Sequence, residues 1–300
     1  MARSRQEPGS VRETIWQTRL RAASAELSSA SAMRSTVRQV ERVTGRREPL
    51  LRVVAGERAL RDAARIVAFP GTFNPLTRAH IGLVETTLAA GYDAALWLLA
   101  VASVDKERVQ RAALPDRVAQ MRAYARRSPA NAVALANRGL YYEQAPLLRR
   151  RFKAAEISIL IGYDKAPQIF DDRYYDDRDA ALATLFANVT LLVAPRAGSG
   201  REELATLLNR PENQRFAERV TYLDAPGHYA NDSSTRARRQ AAKESDPASL
   251  HEFPPEAIAL IETGAYSARA HGRGSSEDRY TQRLAWLAGL ADGDGDSDGR

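Results

Sequence analysis

From residue 66 to residue 223 the chain alternates between short apolar runs and longer stretches in which apolar residues recur at helical spacing. Ile66-Val67-Ala68-Phe69 is the first of the runs, closed by Pro70-Gly71, and Ile81, Leu83, Val84 and Leu88 mark the first helical face, with Gly91 where a helix C-cap belongs. The pattern predicts strands over 66–69, 94–100, 132–136, 157–161, 189–194 and 220–223. It predicts helices over 78–90, 115–127, 144–154, 179–186, 202–208 and 234–244. Apolar strands separated by amphipathic helices imply an α/β chain, a doubly wound parallel sheet with helices on both faces. Ligands of such sheets bind at the carboxyl ends of the strands.

Outside that region the pattern changes. Trp16, Leu20, Ala23 and Leu27, then Met33, Val37 and Val40, form apolar stripes of a helical extension, and Ser10 with Glu13 reads as a capping box. A break is expected at Gly45 to Pro49, followed by a short helix over 57–64. The stripes need a partner, either the rest of the chain or a second subunit, which would make a homo-oligomer through these helices. Residues 270–277 read as a Gly/Ser-rich linker and Tyr280 to Leu290 as a short helix. The Asp/Gly-rich end hints at a calcium loop but lacks the glutamate such a loop needs, so a disordered acidic tail is expected. Three segments result: 1–64, an arginine-rich helical extension; 65–268, the α/β domain; and 269–300, linker, helix and tail.

Charge alters this picture less than its total suggests. The net charge of +7 invites a nucleic-acid reading, but residues 1–65 hold fourteen arginines against seven acidic residues, and the remainder is balanced. The extension matches no nucleic-acid module, and Trp16 is its one aromatic residue, so a solvated basic helical pair is expected instead. The absence of cysteine excludes disulfides, thiolate nucleophiles and cysteine-ligated metal. No apolar run is long enough to cross a membrane and the N-terminus lacks the apolar core of a signal peptide, which leaves the cytoplasm as the expected location.

Two segments carry candidate chemistry. In Gly71-Thr72-Phe73-Asn74-Pro75-Leu76-Thr77-Arg78-Ala79-His80 a strand turns through glycine into a helix, so that backbone N–H groups and the positive end of the helix dipole can face an anion. Thr77 and His80 stand three residues apart, on one helix face, and are expected to reach the same phosphoryl group. Far downstream, Ser233-Ser234-Thr235 offers hydroxyls and Arg238 a bidentate phosphate donor from a second helix start.

The first segment resembles the G-x-F-x-P-x-[HT]-x-G-H motif of the nucleotidylyltransferase superfamily, and the second its I-S-S-T-x-x-R motif. Ile161-Gly162-Tyr163-Asp164 resembles the I-G-x-D element of nicotinate (nicotinamide) mononucleotide adenylyltransferases, and the helix after Pro254 with Gly264 and Tyr266 is similar to the ending of that group. The resemblance covers roughly residues 65 to 268 and implies a Rossmann-like fold. It implies transfer of AMP from ATP, accompanied by Mg2+, to a mononucleotide phosphate. His80, Thr77 and Arg238 would be the catalytic groups. Gly71, Thr72, Phe73, Lys106, Gly162, Asp164, Ser233, Ser234 and Thr235 would bind nucleotide, with Asp164 on ribose or base, Lys106 between the phosphates and no metal held by the protein.

Two positions depart from the motif: Thr77 stands where those enzymes usually carry histidine, and Ala79 replaces glycine. Thr77 and the wording Pro70-Gly71-Thr72-Phe73 resemble phosphopantetheine adenylyltransferase instead. A fragment of a class I aminoacyl-tRNA synthetase is disfavoured by the lack of a lysine-serine-lysine loop, and a non-catalytic nucleotide-binding scaffold with a degenerate site is the alternative of another class.

Overall fold

A computed structural model describes residues 8–101, 112–196, 200–226, 234–243, 253–266 and 276–292. The chain opens with helices α1 (Pro8–Ser28) and α2 (Ala30–Thr44), then strand β1 (Leu51–Ala55) and the single turn α3 (Glu57–Leu60). The alternating region follows as β2 (Arg65–Pro70), α4 (Arg78–Ala89), β3 (Ala94–Ala100), α5 (Leu114–Ala125), β4 (Asn131–Ala136), α6 (Tyr141–Arg151) and β5 (Glu156–Gly162). It continues through α7 (Ala166–Ile169), α8 (Arg178–Asn188), β6 (Thr190–Ala194), α9 (Arg201–Leu208), β7 (Val220–Tyr222) and α10 (Ser234–Lys243). Helices α11 (Pro255–Glu262) and α12 (Ser276–Asp292) complete it.

The seven strands lie in the order β1-β4-β3-β2-β5-β6-β7, all parallel except β1, which runs antiparallel to β4. The chain winds outward from β2 through β3 to β4, then restarts on the other side of β2 with β5. The topological switch point therefore lies between β2 and β5, which is where a ligand crevice belongs in such sheets. Alternation within the strands divides the core. Ile66, Ala68, Leu96 and Leu98 face one layer with Leu148, Leu182 and Leu185. Val67, Phe69, Trp97 and Leu99 face the other with Val84, Val118 and Met121. Both faces are thus covered, as a parallel sheet requires.

Strand β1 is the element that the sequence pattern does not reveal. It pairs on one side only, is half exposed along most of its length and carries Arg52, so neither a continuous apolar run nor a clean alternation marks it. The helix expected over 57–64 is only the turn Glu57–Leu60. Gly56 leads into it at φ 69°, where a Cβ would stand 2.1 Å from the carbonyl oxygen of Asn131, so only glycine lets the chain leave the sheet so close to β4. Helix α1 starts at Pro8, which places Ser10 inside its first turn instead of ahead of it. Proline suits that first position because its missing N–H would be unpaired there anyway.

The stripes of the extension pack onto the chain's own α5, α11 and α12. Leu27, Met33 and Val37 join Leu260, Tyr266, Leu287 and Leu290 in one cluster, while Trp16 and Leu20 lie against Phe253, Ala257 and Ile258. Charge is buried with them, which departs from a solvated basic pair. Glu256, 1 % exposed, lies between Arg19 and Arg127, and Glu26 lies between Arg122 and Arg126. A carboxylate taken this far out of water needs its arginines, and the arginine excess of the sequence is partly accounted for by that need.

The third buried carboxylate is Asp116 at the start of α5. Arg283 of α12 bonds it through Nη2 at 2.7 Å and Nε at 3.1 Å, and gives a further bond to the Leu27 carbonyl, so one guanidinium ties together α12, α5 and α1. Burial raises the Asp116 carboxyl above its ordinary pKa, opposed by Arg283. Arg283→Met is expected to lower stability by about 3–5 kcal/mol at neutral pH, since it strands a buried charge. A carboxyl raised in the folded state gives stability that is complete below its unfolded pKa and is lost as pH rises through the folded value. The variant should therefore lie nearest to wild type in acid and farthest from it at neutral pH, as urea titrations across that range would measure.

Candidate functional site

The segment between β2 and α4 is a loop held from several sides. Gly71 N–H donates to the Leu98 carbonyl at 3.0 Å, keeping the loop's first residue on the sheet. A Cβ at Gly71 would come within 2.8 Å of the Phe73 ring, so the turn requires glycine. Phe73 adopts φ 43°, an uncommon conformation for a side-chain-bearing residue, and its ring is 1 % exposed in a cluster with Phe69 and Trp97. Gln120 of α5, fully buried, donates to the Phe73 carbonyl at 2.9 Å and accepts from the Leu76 N–H at 3.1 Å. One amide thus satisfies the backbone on both sides of Asn74-Pro75. Arg117 of the same helix donates to the Thr72 carbonyl at 2.9 Å.

Thr77 caps α4. Its Oγ1 accepts the His80 N–H at 3.3 Å, and the Thr77 N–H donates to His80 Nδ1 at 3.0 Å. Because Nδ1 accepts that bond, the hydrogen-bond network assigns the imidazole proton to Nε2. The ring stands edge-on to Phe69 and Phe73, with centroids 5.8 Å and 5.4 Å away, and both contacts fix its direction.

Helix α10 closes over the loop. Ser234 Oγ donates to the Pro75 carbonyl at 3.1 Å, Arg238 Nη1 to the Asn74 carbonyl at 2.8 Å, and Arg238 Nη2 to Thr235 Oγ1 at 3.0 Å. Between loop, α10 and the carboxyl ends of the strands lies a cavity of about 500 Å³. Arg117, Lys165, Arg196 and Arg238 line it together with His80, Tyr141, Gln144 and Tyr175, and no aspartate or glutamate is among its described lining residues. Four cations, helix-start hydroxyls and an imidazole donor around one concavity form a site for a polyanion. Gln144 adds an acceptor: it is 2 % exposed, its Nε2 donates to the Arg138 carbonyl at 2.9 Å, and its Oε1 has no partner among the described residues.

Residues 68–240 match the family model described as cytidylyltransferase-like, more than half of the chain. The chain belongs to the cytidylyltransferase-like family. It is therefore a nucleotidyltransferase by family and a nucleotide-binding chain. No curated protein matches it. A solved structure of a proposed nicotinate-nucleotide adenylyltransferase from Vibrio parahaemolyticus is similar at 17 % identity, over 66 % of this chain and 98 % of that one, with a TM-score of 0.36.

For this family member the structure brings together Gly71, Thr72, His80, Ser234, Thr235 and Arg238 at the cavity. Thr77 and Phe73 are not among the residues lining it. Both are buried, one as a helix cap and the other as a ring beneath the loop. Ser234 lines the cavity, but its hydroxyl proton goes to the Pro75 carbonyl, so it secures the loop. Gly162 and Asp164 lie at the end of β5 outside the lining, with Asp164 paired to Arg196 at 3.8 Å. Lys106 and Ser233 lie outside the described residues. The pattern did not single out Gln120, Arg117, Gln144, Lys165 or Arg196. Lys165 directly follows the Gly162-Tyr163-Asp164 element, and its adjacency was the available signal.

The cap makes a direct prediction. Thr77→Val should cost about 1 kcal/mol of stability through loss of the capping oxygen, whereas Thr77→Ser should be close to neutral. Thermal unfolding would compare the two, and nitrogen-15 NMR of the His80 ring should report a proton on Nε2 in wild type.

Proposed function

We propose that the chain is an adenylyltransferase that moves AMP from ATP to the phosphate of nicotinate (or nicotinamide) mononucleotide and releases pyrophosphate, a step of NAD biosynthesis. The observation that carries this reading is the convergence of His80, Thr235 and Arg238 on a cavity lined by four cations and, among the described residues, no carboxylate. The choice of a pyridine mononucleotide rests on the resemblance of the Gly162-Tyr163-Asp164 element and the Gly264-to-Tyr266 ending to that group. A cytoplasmic location goes with it, and no described helix is long and apolar enough to cross a membrane.

In this reaction an oxygen of the acceptor phosphate attacks the α-phosphorus of ATP in line. The new phosphorus–oxygen bond forms as the bond to the β-phosphate oxygen breaks, and its electron pair leaves with pyrophosphate. The acceptor oxygen is already ionised, so the protein needs no base and no covalent nucleophile. Position and charge compensation are what it must supply. His80 donates from Nε2 to the phosphoryl oxygens as charge builds. Arg238, its plane fixed by Asn74 and Thr235, grips the β or γ phosphate. Arg117, Lys165 and Arg196 supply the remaining positive field. With no carboxylate lining the cavity, the described residues offer Mg2+ no direct ligand there, and an ion accompanying ATP would be held by phosphates and water.

Thr77 bears on the two alternatives. As a buried cap it meets the α4 backbone and His80, so its replacement of the usual histidine changes the inside of the helix start and leaves the lining groups intact. That weakens both the phosphopantetheine acceptor and the degenerate-site scaffold, each of which drew on this position.

The experiment is a coupled pyrophosphate assay with ATP and a panel of acceptors: nicotinate mononucleotide, nicotinamide mononucleotide and phosphopantetheine. Release with a pyridine mononucleotide alone is expected. Release only with phosphopantetheine would move the acceptor, and silence throughout would end the enzyme reading. His80→Ala is expected to lower turnover by about a hundredfold to a thousandfold with the fold intact, the worth of a preorganised donor to a developing anion.

A further inference from the structure

Asn74 stands where three parts of the chain meet. Its Oδ1 receives the Tyr266 hydroxyl at 2.6 Å and the Ala112 N–H at 3.2 Å, while its own carbonyl receives Arg238 Nη1 at 2.8 Å. Tyr266, 192 residues downstream, is 2 % exposed, and Asn74 is 1 % exposed. Burial holds the Tyr266 hydroxyl well above the ordinary phenol pKa, so it is a proton donor to the amide oxygen at any working pH.

The position of Tyr266 is set away from the cavity. Its ring packs in the cluster formed by Leu27 and Met33 of the extension, Leu260 of α11 and Leu287 and Leu290 of α12. Of these elements, α12 holds the start of α5, through Arg283 on Asp116 and the Tyr280 hydroxyl, which accepts the Ala113 N–H at 2.6 Å. The first two helices and the last two described helices therefore converge behind the phosphate loop. From that packed body a single hydroxyl reaches forward, and the residue it meets carries the seat of Arg238.

We propose that Tyr266 is a positioning residue for nucleotidyl transfer: by holding Asn74 Oδ1 it fixes the Asn74 carbonyl on which Arg238 sits, and thereby sets the grip of that guanidinium on the polyphosphate. The proposal rests on the reading of Arg238 as a phosphate ligand. Without the hydroxyl, Asn74 Oδ1 keeps one partner at 3.2 Å, in a loop where Phe73 already holds an uncommon backbone conformation. The loop can then settle differently, and Arg238 moves with its carbonyl seat.

The test is a double-mutant cycle on the full chain with wild type, Tyr266→Phe, Arg238→Ala and the double variant, measuring ATP affinity by calorimetry. Tyr266→Phe retains the ring and its packing. It is expected to weaken ATP binding about tenfold, the worth of a buried acceptor losing its better partner. In the Arg238→Ala background the same change should cost nothing further, because its route to the phosphates is gone. Equal weakening in both backgrounds would mean that Tyr266 acts on binding by a route other than Arg238, and a role confined to stability would leave affinity at the wild-type value in Tyr266→Phe; either result would overturn the proposal. Pyrophosphate release by the same four proteins separates this from the reaction: ATP binding with the expected coupling but no release would end the adenylyltransferase reading and leave the positioning role standing. Absence of ATP binding in wild type would overturn both.

Discussion

The amide of Gln120 is the contact on which the site most depends. Between β2 and α4 the chain must turn with its backbone against the core, and buried N–H and C=O groups there have no access to water. Gln120 answers one of each, at Phe73 and Leu76, from a helix that begins more than thirty residues later. With the loop pinned at those two points, the Thr77 cap, the direction of the His80 ring and the carbonyls of Asn74 and Pro75 acquire fixed positions. Those two carbonyls are where α10 attaches. The cavity-lining groups of α10 are therefore tied to the loop, and the loop is held by α5.

That dependence explains which parts were legible in the sequence. The strand over residues 94–100 could be read directly, because a strand buried on both faces leaves an uninterrupted apolar run. The convergence of His80 and Arg238 on one cavity could be read because their motifs are local, a few residues at the start of a helix. Gln120 gave no such sign: a single polar residue on an otherwise amphipathic helix looks like solvent-facing surface until the loop is seen opposite it. β1 escaped for a related reason, since an edge strand with one partner needs only half the apolar pattern.

Thr77 shows the limit of reading a role from a motif position. Its spacing from His80 brings the two residues together, and the contact they make is the N-cap of α4. A helix N-cap turns its side chain back toward its own first N–H groups, so the three-residue relation that aligns two side chains on a helix face here closes a capping interaction instead. The same reasoning applies to Ser234, whose proton is directed to Pro75. Hydroxyls at helix starts meet backbone first, whereas a guanidinium such as that of Arg238 has donors on more than one edge.

Charge distribution separates two uses of arginine in one chain. In the extension and its partners, Arg19, Arg122, Arg126 and Arg127 accompany the buried carboxylates Glu26 and Glu256, and burial lowers the pKa of Arg122 and Arg127 while those carboxylates oppose the shift. At the cavity, Arg117, Arg196 and Arg238 line a space with no carboxylate among its described lining residues, and Asp164 pairs with Arg196 at 3.8 Å. A cation matched by a buried acid contributes little field beyond its pair, whereas cations that outnumber the acids around a cavity leave a positive potential that attracts anions. The +7 of the whole chain is thus a poor guide to its ligand. The excess of cations lining the cavity at the carboxyl ends of β2, β5 and β6 is the more local guide, and it favours an anion.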